Sequence, residues 1–551
     1  MRPLILAAAG FLATAASAIP PSPSPGPPAP PPRLLIVISV DQLSGDLFDE
    51  YRPHFSGGLA RLARGVVFRN GYQAHAATET CPGHSTILTG SHPARTGIVG
   101  NNWVDQSVAR TDKRIYCAED ERVPRPAGTA AGTAGSYTVS PWHLKVATLG
   151  DLLKQRSPAS RNVAVGGKDR SAVMMGGRLI DQRWYWDGKA FATDLAAAPV
   201  PQTVTRANAA VAASIAAGRE PLDPPAICQG KSTPLTLAPN LTVGNGRFAR
   251  PAGDSRAFRA SPEFDGAMLA LAAGLIQELK LGSDAAPDVL SVGLAATDYV
   301  GHAFGSGGGE MCLQLLSLDR DLGDFFSLLD RQGTDYAVVL TADHGALDIP
   351  ERLRARGVAG AAWADVALAT GEVGKRIAAK LGISGPALLG ELAGEVYVDR
   401  TLKSADRSRV LDEALAYYRA HPQVAAVFTS AQLASTAIPT GSPDRWSLLQ
   451  RARASFDPQR SGDLVVILKQ HVMPIATAGA GYVSTHGSAW DYDRRVPIAF
   501  WRPGTNPAER SEAVSTVDIL PTLAAMLGIA APAGIDGKCL RGIQGIACQV
   551  R

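Results

Sequence analysis

Near-continuous apolar runs recur along the chain, and each stops abruptly at polar residues. LLIVISV (34–40) runs into Asp41, VLSVGLAA (289–296) runs toward Asp298, and YAVVLTA (336–342) runs into Asp343 and His344. Strands without polar alternation belong to sheets covered on both faces. The stretches between them, such as Phe264 to Leu281, repeat apolar residues at helical spacing. Together they predict an α/β fold: a three-layer, doubly wound, mostly parallel sheet with helices on both faces. In such sheets a ligand sits beyond the carboxyl ends of the strands, so three separate polar endings become one candidate site. STVDILPTLAAMLGI (515–529) predicts a closing helix that serves packing. Residues from about 105 to 260, rich in Gly, Ala and Pro, and from about 350 to 480, with mixed helical and short-strand patterns, read as insertions that cap the sheet.

A chain of 551 residues has room for one large domain with insertions or for two to three ordinary ones. Residues 33–530 are assigned to one domain and 531–551 to a C-terminal tail. The formal charge of +4 is small for this length, and no basic run tracks a nucleic-acid backbone, which argues against nucleic-acid binding. At the N-terminus Arg2 precedes the apolar stretch Leu4 to Ala15 and the small residues Ala16, Ser17 and Ala18, the pattern of a secretory signal (1–18) cleaved after Ala18. An uncleaved anchor fits less well, because the run falls short of the ~20 apolar residues that span a bilayer. IPPSPSPGPPAPPP (19–32) reads as a stiff extended tether.

Export permits disulfides, and six cysteines are available: Cys81, Cys117, Cys228, Cys312, Cys539 and Cys548. Sequence does not give their connectivity. The expected pairs are Cys539 with Cys548, closing a short loop, and Cys117 with Cys228. No CxxC occurs, which argues against a zinc knuckle or a thioredoxin-type site.

Asp41, Asp298, His302, Asp343, His344 and His486 follow or adjoin the ends of the predicted strands. Each alone has an ordinary reading as a cap or turn former. Jointly they match what two zinc ions accept, carboxylate oxygen and imidazole nitrogen. Asp298 and His302, in TDYVGH, are four residues apart and share one face of a helical turn. Asp343 and His344 need an irregular turn to face one centre, and His486, in STHGS, sits among small loop residues.

VISVDQ, TETCPGHSTILTGSHPARTGIVGNNW, TDYVGH, TADHG and STHG, in this order, resemble the nucleotide pyrophosphatase/phosphodiesterase branch of the alkaline phosphatase superfamily. Within it the chain is similar to the bacterial threonine-dependent alkaline phosphatases of the PafA and PhoK type. The resemblance covers most of 34–530 and implies an alkaline phosphatase-like catalytic domain with two Zn2+ ions. One would be held by Asp298, His302 and His486, the other by Asp41, Asp343 and His344, with Thr80 completing it. Thr80 matches the family's nucleophile; Thr78 does not.

Chemistry independently allows a threonine in that role. An unassisted alcohol is not ionised at neutral pH, but metal coordination acidifies a hydroxyl as it lowers bound water to a pKa of about 7. The segment after Cys81 reads as helical, placing Thr80 near an N-terminus that favours phosphate. Cys81 reads as a packing residue, while Glu79 and His84 receive no assignment.

Asn101, in GNNW, lies where the family carries a phosphate-binding amide. Lys168 and Arg170, in VAVGGKDRSAVMMGG (163–177), match the pair found in monoesterase members. A monoester dianion gains most from such a pair, Arg offering bidentate geometry and Lys a point charge. A sulfatase needs Cys-x-Pro-x-Arg, whereas Cys81 is followed directly by Pro82. A cofactor-independent mutase uses a serine and works in the cytosol. The expected protein is therefore a periplasmic or secreted, monomeric phosphomonoesterase of broad range, acting through a phosphothreonine and needing no membrane or nucleic-acid partner. A diesterase or nucleotide pyrophosphatase is the alternative, and a non-catalytic exported binding protein the remote one. A structural Ca2+ is also allowed for, although no motif gives it a place.

Overall fold

The computed structural model describes residues 30–123 and 137–548. The expected signal peptide and all but the last residues of the tether lie outside them.

Strand Leu34–Val40 is buried along its whole length. Its side chains divide by the period of two: Leu34, Ile36, Ile38 and Val40 enter one apolar core, Leu35 and Val37 another. The first core is closed by helices Gly45–Tyr51, Pro262–Glu278 and Gly309–Arg331, through residues such as Phe48, Leu271, Leu275, Leu322 and Phe326. The second is closed by helices Thr80–Ile87, Leu149–Arg156 and Ile519–Met526, through Ile87, Leu149, Leu153, Leu520 and Leu523. A strand covered on both faces has no solvent side, which is why its sequence shows no polar alternation.

The strand is the centre of a ten-stranded sheet in the order Ala508–Arg510, Val66–Tyr72, Arg495–Trp501, Tyr336–Thr341, Leu34–Val40, Asp288–Leu294, Asn162–Gly166, Gln182–Trp186, Phe191–Ala192, with Val514–Ser515 also paired to Val66–Tyr72. The middle of the sheet is parallel. Two antiparallel steps, through Arg495–Trp501, bring Val66–Tyr72 back to the direction of Leu34–Val40. Thus Val66–Tyr72 and the five parallel strands of the middle, six in all, present their carboxyl ends along one edge, and that edge carries the site.

Residues 105–260 are not a cap separate from the sheet. They contribute strands Asn162–Gly166, Gln182–Trp186 and Phe191–Ala192 to it. Within 350–480, four strands in the order Leu388–Gly390, Gly394–Val398, Leu464–Leu468, Val424–Thr429 make a separate antiparallel sheet. It has its own apolar cluster, including Val373, Ile377, Val396, Tyr418 and Leu464. The segment 515–529 forms a 3-10 turn, Thr516–Asp518, followed by the buried helix Ile519–Met526.

The disulfides correct one expectation. Cys539 pairs with Cys548, but Cys117 pairs with Cys81 and Cys228 with Cys312. Cys228 lies on helix Ala226–Gln229, packed against helix Gly309–Arg331 that carries Cys312, with Cα atoms 5.6 Å apart. Cys117 follows strand Arg114–Tyr116 and meets helix Thr80–Ile87 instead, at a Cα separation of 6.4 Å from Cys81. Cys81 is therefore a covalent tie and not only a packing residue.

Candidate active site

Asp41 directly follows strand Leu34–Val40, and Asp343 and His344 follow its parallel neighbour Tyr336–Thr341. Asp298 lies in the first turn of helix Ala296–Phe304 after strand Asp288–Leu294. The helical spacing places His302 beside it, with Nε2 3.2 Å from Asp298 Oδ1. His486 arrives from a distant loop, its Nε2 3.4 Å from the same oxygen. His344 Nε2 stands 3.3 Å from Asp41 Oδ1 and 3.2 Å from Asp343 Oδ2.

Two compact donor groups result. Ligand atoms of Asp41, Asp343 and His344 lie within 4.8 Å of one another, as do those of Asp298, His344 and His486. His344 belongs to both groups, its ring stacked on that of His486 at 3.5 Å between centroids. His302 joins the second group through Asp298.

These residues fit metal ions on three observations. Asp41 Oδ1 and His344 Nε2, 3.3 Å apart, are both buried without a hydrogen bond, which is costly for isolated polar atoms. Each imidazole has its Nδ1 at a backbone carbonyl: His302 at Ser484 (2.7 Å), His344 at Gly345 (3.0 Å) and His486 at Thr78 (2.9 Å). A carbonyl only accepts, so Nδ1 carries the proton and Nε2 keeps the lone pair that binds a metal. Finally, several carboxylates share a buried space, an arrangement that cations offset. Burial, Asp298 and Asp343 together hold the Asp41 carboxyl well above its usual range. Burial also lowers His344, to about 3, against the opposing charge of Asp343.

Thr80 opens helix Thr80–Ile87 and is fully buried. Its Oγ1 accepts from Lys168 Nζ at 3.3 Å and from Arg170 Nη2 at 3.4 Å. Lys168 also pairs with Asp41 at 2.6 Å and with Asp298 at 2.5 Å, touching one carboxylate from each donor group. Burial works against its charge, but Asp298 and Asp41 prevail and push its pKa to about 12. Asn101 Oδ1 accepts from the Cys81 N–H at 2.8 Å, which leaves the amide NH2 as the free end of that side chain. All ten residues singled out in the sequence thus meet at one edge of the sheet.

Glycines set the approach distances. A Cβ on Gly83 would stand 2.1 Å from the Asp343 carbonyl oxygen, so the helix of Thr80 can pack this closely only with Gly there. A Cβ on Gly301 would fall 1.5 Å from Gln42 Oε1.

Gln42 itself was not anticipated. With φ at 71°, unusual for a residue with a side chain, it donates from its backbone N–H to Asp343 Oδ1 and from Nε2 to Asp298 Oδ1, linking the donor groups. His84 Nδ1 lies 3.1 Å from Asp343 Oδ2 and 2.9 Å from the Thr80 carbonyl. Glu79 Oε2 accepts from the Asn101 N–H at 2.7 Å, and burial raises its pKa to about 7. Asp169 accepts from Tyr116, Tyr137 and the Arg170 N–H, and Tyr116 in turn accepts from Arg170 Nη1 at 3.4 Å. The adjacency of Glu79 and Gln42 to Thr80 and Asp41 was the only signal for them in the sequence.

Comparison with known proteins places this edge in a family context. Residues 35–489 match the family described as type I phosphodiesterase / nucleotide pyrophosphatase. Alkaline phosphatase PhoK of Sphingomonas sp is 51% identical over 519 residues, 93% of this chain and 91% of that protein. Alkaline phosphatase PhoD of Zymomonas mobilis is 46% identical, covering 92% of this chain and 88% of that protein. The crystal structure of wild-type alkaline phosphatase PafA superposes with a TM-score of 0.79 at 28% identity, over 94% of this chain and 99% of that one.

Proposed function

The chain belongs to the type I phosphodiesterase / nucleotide pyrophosphatase family, and from that premise we propose that it is an exported alkaline phosphatase hydrolysing phosphate monoesters through a phosphothreonine at Thr80. The enzyme class, a phosphate-ester hydrolase of the alkaline phosphatase type, follows from relatives aligned over nearly the whole chain. The observation that carries the finer reading is the convergence of Lys168 Nζ and Arg170 Nη2 on Thr80 Oγ1, beside both donor groups.

Asp41, Asp343, His344 and Thr80 would hold one zinc ion, and Asp298, His302 and His486 the other. When bound, the ions supply Lewis-acid charge that acidifies a hydroxyl and offsets charge on phosphoryl and leaving-group oxygens. Thr80 Oγ1 attacks phosphorus, the ester alcohol leaves from the opposite side, and water later displaces the threonine to release phosphate. Lys168, Arg170 and the Asn101 amide donate to the non-bridging oxygens, where negative charge redistributes. The Tyr116–Asp169–Tyr137 cluster fixes the base of Arg170, so its guanidinium reaches the phosphoryl group without reorganising. Glu79 and the Cys81–Cys117 tie hold Asn101 and Thr80 in one frame.

Export rests on the signal pattern of 1–18 and agrees with three disulfides. No helix among the described residues is long and apolar enough to cross a membrane. In this reading residues 19–32 tether a catalytic domain spanning 33–530, and 531–551 form its tail.

Kinetics with p-nitrophenyl phosphate and bis-p-nitrophenyl phosphate test the proposal. The monoester should be strongly preferred, Thr80→Ala should abolish turnover, and Arg170→Ala should cost the monoester far more than the diester. A marked diester preference in the wild type would replace this reading with the diesterase one, and full turnover by T80A would remove the nucleophile.

A further inference from the structure

A cavity of about 490 Å3 extends from Lys168 and Arg170 away from the donor groups, walled by Tyr185, Trp186, Tyr299 and Arg259. Aromatic walls suggest a stacking site, but the Trp186 and Tyr299 rings are already engaged. Trp186 packs against Phe191, Phe258 and Phe264, at 5.7, 6.0 and 5.7 Å between centroids. Tyr299 carries the Arg259 guanidinium 4.4 Å above its ring and also packs on Phe264. These two rings offer a flat base no open platform, and the handle this wall retains is charge.

Its acids are committed. Asp169 is saturated by two tyrosine hydroxyls and the Arg170 N–H. Asp187 accepts from the N–H groups of Lys189 and Ala190 in its own turn, and Asp112 accepts from the Arg114 N–H. Arg259 is not committed: at the end of helix Ser255–Arg259, it has no carboxylate partner and no side-chain hydrogen bond among the described residues. Stacking uses only the face of a guanidinium, so its in-plane N–H donors remain for a ligand. Tyr299 orients the fork at little entropic cost.

We propose that this cavity is an anion subsite adjoining the phosphoryl site, where Arg259 binds a second phosphate or carboxylate carried by the same substrate. The inference rests on the phosphatase reading above and adds to it a preference for esters whose alcohol portion is itself anionic. Planar, charge-assisted pairing with carboxylate or phosphate is what a free guanidinium edge recognises best.

The test compares matched substrates on the metal-loaded, disulfide-intact chain: 3-phosphoglycerate against glycerol 3-phosphate, and fructose 1,6-bisphosphate against fructose 6-phosphate. In R259A and R259Q the ratio of kcat/KM, anionic over neutral member, should fall about tenfold or more, chiefly through KM, since a charged hydrogen bond is lost. R259K should recover part of the ratio. A ratio unchanged in both R259A and R259Q overturns the subsite. If the wild type cleaves none of the four, the phosphatase reading fails separately, and calorimetry of fructose 1,6-bisphosphate with T80A and T80A/R259A decides the subsite. Binding at least tenfold weaker in the double variant upholds it, and equal binding overturns it.

Discussion

Replacing Glu79 tests how the oxygen-holding frame is built. Its carboxylate accepts from the Asn101 N–H at 2.7 Å, while Asn101 Oδ1 accepts from the Cys81 N–H at 2.8 Å. Asn101 is thus gripped by the residues on either side of Thr80, which in the proposed reaction leaves its NH2 to face a phosphoryl oxygen. Hydrogen bonds to charged groups contribute about 1.5–3 kcal/mol net. Glu79→Ala removes that grip and leaves a partly buried N–H unpaired. If the frame matters in the transition state, kcat/KM for p-nitrophenyl phosphate should fall about tenfold to a hundredfold, at about 1.4 kcal/mol per decade. Glu79→Gln keeps an acceptor oxygen and should lose less than about fivefold, the neutral bond being the weaker one. Because Glu79 acts through Asn101, E79A should cost little more once N101A is present, so a double-mutant cycle should show coupling. Melting temperatures of the four proteins separate this from unfolding. Additive losses, or an E79A enzyme as active as the wild type, would refute the positioning role.

The Cys81–Cys117 bond closes a loop of sequence separation 36, for which chain entropy gives about 3–4 kcal/mol. Cys117→Ser should lower the urea midpoint accordingly and also lower kcat, since the tie joins the helix of Thr80 to the Asn101 segment; unchanged stability would exclude the bond. Asp265 accepts from the N–H groups of Ala295 and Ala296 at the start of the Asp298 helix, and burial raises its carboxyl to about 7. A folded pKa above the unfolded one favours the folded state below the unfolded pKa, an advantage lost as pH rises through about 7. Asp265→Asn should therefore remove a loss of up to about 4 kcal/mol between pH 4 and 8, read from urea unfolding at both ends. Gln314 Nε2 donates to Asp265 Oδ2 at 2.9 Å, and by turning its amide over it presents the unpartnered Oε1 to the new NH2. An identical pH slope in D265N would refute this.

Local pattern carries far because strand and helix periods are local. Continuous apolar runs mark strands buried on both faces, and a residue directly after such a run must lie at the carboxyl edge of the sheet. Asp41, Asp343 and His344 are placed by that rule alone, and the four-residue spacing of Asp298 and His302 by the helical turn. Lys168 and Arg170 follow the same logic after strand Asn162–Gly166.

Properties that depend on distance between remote segments were decided only by the tertiary structure. Cys117 chooses Cys81 over Cys228 because its strand lies against helix Thr80–Ile87, a fact no spacing encodes. The texture of residues 105–260 hides three strands of the main sheet, since Gly and Ala content reports local flexibility, not pairing. Gln42, Glu79 and His84 gain their roles from partners that folding brings beside them, and Arg259 is laid over the Tyr299 ring in the same way. The sequence by itself determines which elements form and which chemistry stands at their ends. Tertiary packing decides which of those groups meet, because polar side chains of one type look alike until burial and geometry select their partners.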